Sequence, residues 1–237
     1  MKILAIDSSG LVATVAVAED NNLLGEYTIN FKKTHSQTLL PMLDEVKRTI
    51  ELDLNTIDAI AISGGPGSFT GLRIGSATAK GLGLALDKPL VHVPTLDALA
   101  YNLWGSSDVI CPLMDARRGQ VYTGIYTFEG EALKAIKKSC AISIEELIEA
   151  VNEQNRAVIF LGDGADVFAD TIRESCTVPF RFAPAHVNKQ RAASVAVLGM
   201  KLFAQGTYER AAEHKPDYLR LSQAERERME KQRDFQI

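Results

Sequence analysis

The order of apolar patterns along the chain repeats, and that repeat is the strongest limit on how it can fold. Three β-like runs come first, Lys2 to Asp7, Val12 to Ala18 and Leu23 to Ile29, with Asn21-Asn22 turning between the last two. A helix is predicted from about Thr38 to Ile50, where Leu39, Met42, Leu43, Val46 and Ile50 recur at helical spacing. Pro41 fits that helix if it lies in the first turn, where backbone N–H groups lack intrahelical partners. A strand at Asp58 to Ser63, a helix to Leu86, a short strand near Val91 and a helix from about Thr95 complete a βββαβαβα series.

The second half runs through the same order. Strands are predicted at Val109 to Asp115, Gln120 to Phe128 and Ala132 to Lys138. Ser143-Ile144-Glu145-Glu146 is a capping box that opens a helix to about Asn152. A strand at Ala157 to Leu161, a glycine turn at Gly162-Asp163-Gly164, a helix to about Ser175, a strand at Val178 to Phe182 and a helix from about Lys189 to Ala204 follow. Two such series head to tail predict an α/β chain with the two-lobed actin-like ATPase (RNase H-like) fold, with lobes over about 1–105 and 106–210 and a cleft between them. Residues 211–237 read as a polar helical tail with a second capping box, Ser222-Gln223-Ala224-Glu225, and charge pairs Arg226–Glu230 and Glu227–Lys231.

Within the first lobe, Ser63-Gly64-Gly65-Pro66-Gly67-Ser68-Phe69-Thr70-Gly71-Leu72-Arg73-Ile74-Gly75 joins a strand to a helix. Such a turn often cradles a phosphate on backbone N–H groups. The chemistry of both common phosphate motifs is absent, because Gly71 is followed by Leu72 and Arg73 instead of Lys and Ser/Thr, and Thr70 stands where a dinucleotide motif needs its third glycine. Asp7, at the end of the first strand, with Ser8, Gly65 and Gly67, would form any vestigial nucleotide site. The alternative for Asp7 and Ser8 is local hydrogen bonding to backbone. Gly67, Gly71, Gly75, Ala79 and Gly83 recur every four residues and line one helical face. That stripe allows close approach of another helix, either inside the lobe or at a subunit interface with the helix of Leu39 to Ile50 as its neighbour.

The remaining inventory excludes more than it supports. Histidines 35, 92, 186 and 214 show no i, i+4 pair, so a metal site would need long-range assembly and none is expected. Cys111, Cys140 and Cys176, three in number and far apart, read as structural thiols in a reducing compartment. Ser68 lacks the flanking glycines of a nucleophile elbow, and no base stands near it in sequence. A net charge of −4 disfavours direct gripping of nucleic acid by this chain alone. No apolar run reaches the roughly 18 residues of a membrane span, so the chain is expected to be cytoplasmic, with no membrane partner.

Several ordered motifs resemble one family. They are Ile6-Asp7-Ser8-Ser9, Thr34-His35-Ser36 before Leu39-Leu40-Pro41, the glycine stretch Gly64 to Gly75, Pro94-Thr95-Leu96-Asp97-Ala98-Leu99-Ala100, Asp115-Ala116-Arg117 with Gly119-Gln120-Val121-Tyr122, and Pro216-Asp217-Tyr218-Leu219-Arg220. Together they resemble the bacterial TsaB (formerly YeaZ) proteins over almost the whole chain. The resemblance implies an actin-like fold and a place in the machinery that forms N6-threonylcarbamoyladenosine next to the tRNA anticodon. It implies a non-catalytic dimerisation and scaffold subunit, homodimeric when alone, with TsaD as transferase partner, TsaE as an ATPase, and tRNA met only through the complex. TsaD carries a His-x-x-x-His metal motif, and Thr95 and Leu99 stand at the matching positions here. The resemblance implies contact through the first helices, and with the small-residue stripe it predicts an interface of Leu39, Met42, Leu43, Val46, Gly71, Ile74 and Gly75. No cofactor is expected, though the residues leave open a nucleotide shared with a partner. The competing class is an actin-like ATPase or kinase that uses Asp7 and the glycine loop.

Overall fold

The computed structural model describes residues 1–31 and 34–219. The tail capping box at Ser222 and the charge pairs after it lie outside these residues. In the first half, β1 (Lys2–Asp7), β2 (Ala13–Glu19) and β3 (Asn22–Ile29) form an antiparallel meander, and β4 (Ala59–Gly65) and β5 (Leu90–Pro94) extend it in parallel from β1. The resulting order is β3-β2-β1-β4-β5. In the second half, β6 (Val109–Asp115), β7 (Gln120–Glu129), β8 (Ala132–Ser143), β9 (Val158–Leu161) and β10 (Phe180–Phe182) give β10-β9-β6-β7-β8, the same arrangement read from its other edge. The fold is two-lobed and actin-like, as the repeated series predicts.

The central strands are buried on both faces, which is why they read as near-continuous apolar runs. Along β1 the side chains alternate between two cores: Leu4 and Ile6 point outward to one, Ile3 and Ala5 inward to another. The outer face of the first sheet is covered by α1 (His35–Thr49) and α2 (Phe69–Leu86). On the second sheet, α4 (Ile144–Asn152), α5 (Asp163–Val167) and α6 (Ala169–Ser175) take that role. The capping box of α4 is formed in both directions between Ser143 and Glu146. The predicted single helix to Ser175 is broken at Phe168, which leaves helical geometry while its side chain packs on the second core.

The inner faces are covered by an exchange of helices. α3 (Thr95–Tyr101), encoded in the first half, lays Leu96, Leu99 and Ala100 on Ile110 and Met114 of β6, Tyr126 of β7 and Ile159 and Leu161 of β9. α7 (Ala192–Ala204), encoded in the second half, lays Ala192, Val195 and Ala196 on the first sheet. The strands therefore divide near residue 105, but the helices cross that boundary. Glu26 fixes the start of α7, pairing with the Arg191 guanidinium and accepting a 3.0 Å bond from Ala193 N–H. Thr14 Oγ1 accepts another from Ala192 N–H at 3.2 Å.

The α7 interface is built from short side chains: Ala5, Ala16, Ala18, Ala59 and Ala61 on the sheet, Ala192 and Ala196 on the helix. Gly199 brings the helix closest, and a Cβ there would stand 2.6 Å from Ala61 Cβ. α1 starts earlier than predicted, at His35, which leaves Pro41 inside the helix and on its exposed side instead of in the first turn. Its ring removes the N–H that Gln37 C=O would otherwise receive. Replacing Gly199 by Leu is expected to lift α7 from the sheet and lower unfolding stability by about 1–3 kcal/mol. Urea denaturation of the purified chain measures the difference.

Candidate functional site

Ser68 is the N-cap of α2, its hydroxyl accepting from Gly71 N–H at 3.3 Å. The glycines around it are each filled by this chain's own atoms. A Cβ on Gly67 would overlap the carbonyl oxygen of Ser9, one on Gly71 that of Ser8, and one on Gly75 the Ser8 hydroxyl. Ser68 N–H donates to Ser9 C=O at 2.6 Å, and Ser8 Oγ donates to Gly71 C=O at 2.9 Å. The β1–β2 turn thus lies directly on the start of α2. Gly64 faces the His92 ring, and Gly65, with φ +130°, runs against the backbone of Asp217. Asp217 N–H donates to Gly64 C=O at 2.7 Å. Gly83 accommodates Ala211, to whose Cβ an added Cβ would stand at 2.7 Å.

The residues expected of a vestigial nucleotide site are therefore brought together, but engaged with one another. Asp7 is buried and accepts both the Ser9 N–H (2.8 Å) and the Ser9 Oγ–H (2.7 Å). Burial pushes its carboxyl above the usual carboxylate range, against the lowering effect of these bonds. The carboxylate thus folds back on its own turn, the local reading of Asp7 and Ser8. Beside this turn, an interlobe cleft of about 760 Å³ is lined by Ser9, Gly10 and His35 of the first lobe and by Asp115, Asp163, Asp166 and Lys189 of the second. Asp163 is raised chiefly by burial, offset by Lys189. Gln190, also in the lining, is buried with Nε2 unpartnered. Thr95 bonds Ser63 Oγ at 2.9 Å and Gly65 N–H at 3.1 Å, and Leu99 is in the core.

The predicted interface residues face inward within the chain. Leu39, Met42, Leu43 and Val46 are buried against the first sheet, Ile74 packs beside them, and Gly71 and Gly75 are covered by Ser8. Helical spacing identified the inward face of α1, because the periodicity of burial is the same whether the covering surface belongs to the same chain or to another. The outward face of α2 carries Arg73, Ala77, Gly81 and Leu84, all exposed at helical spacing, and a Cβ on Gly81 would meet open space. Leu40, on α1, is 53% exposed.

Two further groupings had no local signal in the sequence. Residues 209–219 run as a strap across β5 and α2: Glu209 and Leu90 exchange two 2.9 Å backbone bonds, Lys80 Nζ donates to His214 C=O at 3.2 Å, and the Tyr218 and Phe69 rings meet at 4.4 Å. This strap brings His214 beside His92, so the long-range assembly of histidines that the sequence could not reveal does occur. Cys111 is buried, and Cys140 and Cys176 are half-buried; all three are free thiols. Among the described residues, no helix is long and apolar enough to cross a membrane.

A family profile described as TsaD, tRNA N6-adenosine threonylcarbamoyltransferase, matches residues 22–228. The tRNA threonylcarbamoyladenosine biosynthesis protein TsaB of Bacillus subtilis (strain 168) is 32% identical over 98% of this chain and 100% of its own length. The chain belongs to the TsaB family. The TsaB protein of Escherichia coli (strain K12) is 30% identical, with 93% of this chain and 95% of that protein covered. YeaZ from Pseudomonas aeruginosa superposes with a TM-score of 0.78 at 26% identity, over 92% of this chain and 99% of that structure. The ethanolamine utilization protein EutJ of Carboxydothermus hydrogenoformans, at 15% identity and a TM-score of 0.50 over 86% and 90% of the two chains, shares the fold alone. The glycine stretch of this TsaB-family chain is thus a packing surface between its own elements.

Two substitutions separate filled from open glycines. Gly71→Ala should destabilise the isolated chain, because backbone at Ser8 must shift, whereas Gly81→Ala should stabilise it by about 0.5–1 kcal/mol through helix propensity; thermal or urea denaturation distinguishes them. A third test concerns Asp7. Its raised folded pKa means that ionisation opposes folding as pH rises from the unfolded value, about 4, through the folded one. Asp7→Asn keeps an oxygen for both Ser9 bonds and removes the charge. The variant should gain stability over the parent as pH rises above about 4, and the two should converge near pH 3.

Proposed function

We propose that this chain is a non-catalytic dimerisation and scaffold subunit of the complex that forms N6-threonylcarbamoyladenosine next to the tRNA anticodon, supporting a TsaD-type transferase. The carrying observation is that Asp7, Ser8 and the glycines of the turn are used up in holding the β1–β2 turn against α2. The groups that an actin-like ATPase would direct at phosphates instead bind one another. The names of the Bacillus subtilis and Escherichia coli relatives supply the pathway. TsaD and a TsaE-like ATPase are the partners, the chain pairs with a second copy when alone, and tRNA is met through the assembled complex. The net charge of −4 supports this last point.

The surface assigned to the partner helix is the outward face of α2 around Ala77, Gly81 and Leu84, next to α1. Small residues there let a second helix approach closely, and Leu84, 63% exposed, supplies an apolar anchor. A charge buried unpaired in such a contact is strongly unfavourable. Ala77→Glu should therefore weaken self-association and co-purification with TsaD by at least ~10-fold, with the melting temperature of the isolated monomer unchanged. Sedimentation velocity and pull-down measure the association. Reconstitution of tRNA modification, with this chain added, omitted or replaced by Ala77→Glu, tests the role itself. Full modification without the chain would overturn the proposal, as would undiminished association of the variant.

A further inference from the structure

The strap of residues 209–219 lies over the face of β5 opposite the interlobe side. His92 pairs with Ile62 across β4 and β5, on the face that also carries Leu90, while Val91 and Val93 point inward toward α3 and α7. Four side chains with metal-binding chemistry meet on this outer face. His92, Glu209 and His214 each offer a ligand atom, all within 4.8 Å of one another. Asp217 Oδ2 lies 3.3 Å from His92 Nε2. Two ligands on adjacent corners of a tetrahedral zinc site stand ~3.3 Å apart when each bond is ~2.0 Å. The His92–Asp217 pair already has that spacing.

The burial of His214 is the second, independent observation. Its side chain is fully buried, its Nδ1 stands 2.6 Å from Glu209 Oε1, and its Nε2 has no hydrogen-bond partner. A buried imidazole nitrogen left bare is unfavourable unless something binds it. A carboxylate on one ring nitrogen fixes the tautomer and leaves a lone pair on the other, which is how metal-binding histidines are commonly held. Two imidazoles with a carboxylate favour zinc over calcium or magnesium, which prefer sites made of oxygen alone.

We propose that His92, His214 and Asp217 bind a zinc ion that fastens the C-terminal strap to β5 and the glycine-rich turn, with the Glu209 carboxylate holding His214 from its Nδ1 side. The site is separate from the interlobe cleft and independent of the scaffold reading. It is formed by residues more than a hundred positions apart, so zinc closes a long loop and stabilises only the folded chain.

The test uses the full chain, stripped with a chelator and titrated with zinc chloride by calorimetry, with bound metal measured by mass spectrometry. One zinc per chain is expected, with a rise in melting temperature that the chelator reverses. Cobalt(II) in place of zinc should give the intense visible bands of a four-coordinate site. His214→Gln and His92→Asn should each weaken binding by ~100-fold, while His186→Asn, altering an exposed histidine elsewhere, should bind like the parent. If His214→Gln fails to fold, His92→Asn decides, since His92 is only partly buried. Failure of the parent to retain zinc would overturn the proposal, as would binding unchanged in His92→Asn.

Discussion

The first lobe depends on one contact, the backbone of the β1–β2 turn lying directly on α2. Ser8 and Ser9 can reach the helix because Gly67, Gly71 and Gly75 place no side chain between them. Each glycine in a helix costs about 1 kcal/mol relative to alanine. Burial of the turn, the Ser8–Gly71 bond and the Ser68–Ser9 bond offset that cost. Asp7 completes the arrangement by binding Ser9 from below, which gives the turn its shape and uses the carboxylate. The same contact sets the outward face of α2, because fixing one side of the helix on the turn determines which side is left for a partner.

A second constraint is the exchange of α3 and α7 between the sheets. It turns two similar halves into one body, since each sheet obtains its inner cover from the other half's sequence. The alanine-rich faces of β1, β2 and β4 are explained by this arrangement. They are short because a helix rests on them at close range, with Gly199 over Ala61 as the nearest point. Exchange also fixes the cleft geometry, because Lys189 and Gln190, just before α7, line the cleft while α7 itself is held by Glu26 and Thr14 of the first sheet.

Most of the fold was legible in the sequence, because apolar runs and helical spacing report burial directly, and the strands of both halves fall close to where those runs placed them. What such patterns cannot report is which surface does the burying. Leu39, Met42, Leu43 and Val46 repeat at helical spacing, yet that spacing is equally compatible with a partner subunit and with the chain's own sheet. The glycine stripe had the same ambiguity and also resolved inward. Ala77 and Gly81 lie on the same helix but outside the four-residue stripe, so no spacing marked them as a surface. His92 and His214 were visible only as isolated histidines. Their meeting depends on the path of the strap past Ala211, and no local spacing encodes that path. Asp7 was identified as a chemically notable residue, but its engagement with Ser9 depends on turn geometry that a sequence motif does not specify.

The position of α7 also has a consequence for biosynthesis. A ribosome releases the five strands of the first sheet, and both of its outer helices, while the segment that covers the inner face is still unmade. Until residues beyond 200 emerge, Ile3, Ala5, Ala61, Val91 and Val93 remain open to water on a growing chain. The first lobe cannot therefore mature as an independent unit during translation. Chaperones that shield apolar sheet faces would be expected to meet nascent chains of this protein at intermediate lengths, and premature termination before α7 would leave a product with an adhesive surface instead of a smaller folded domain.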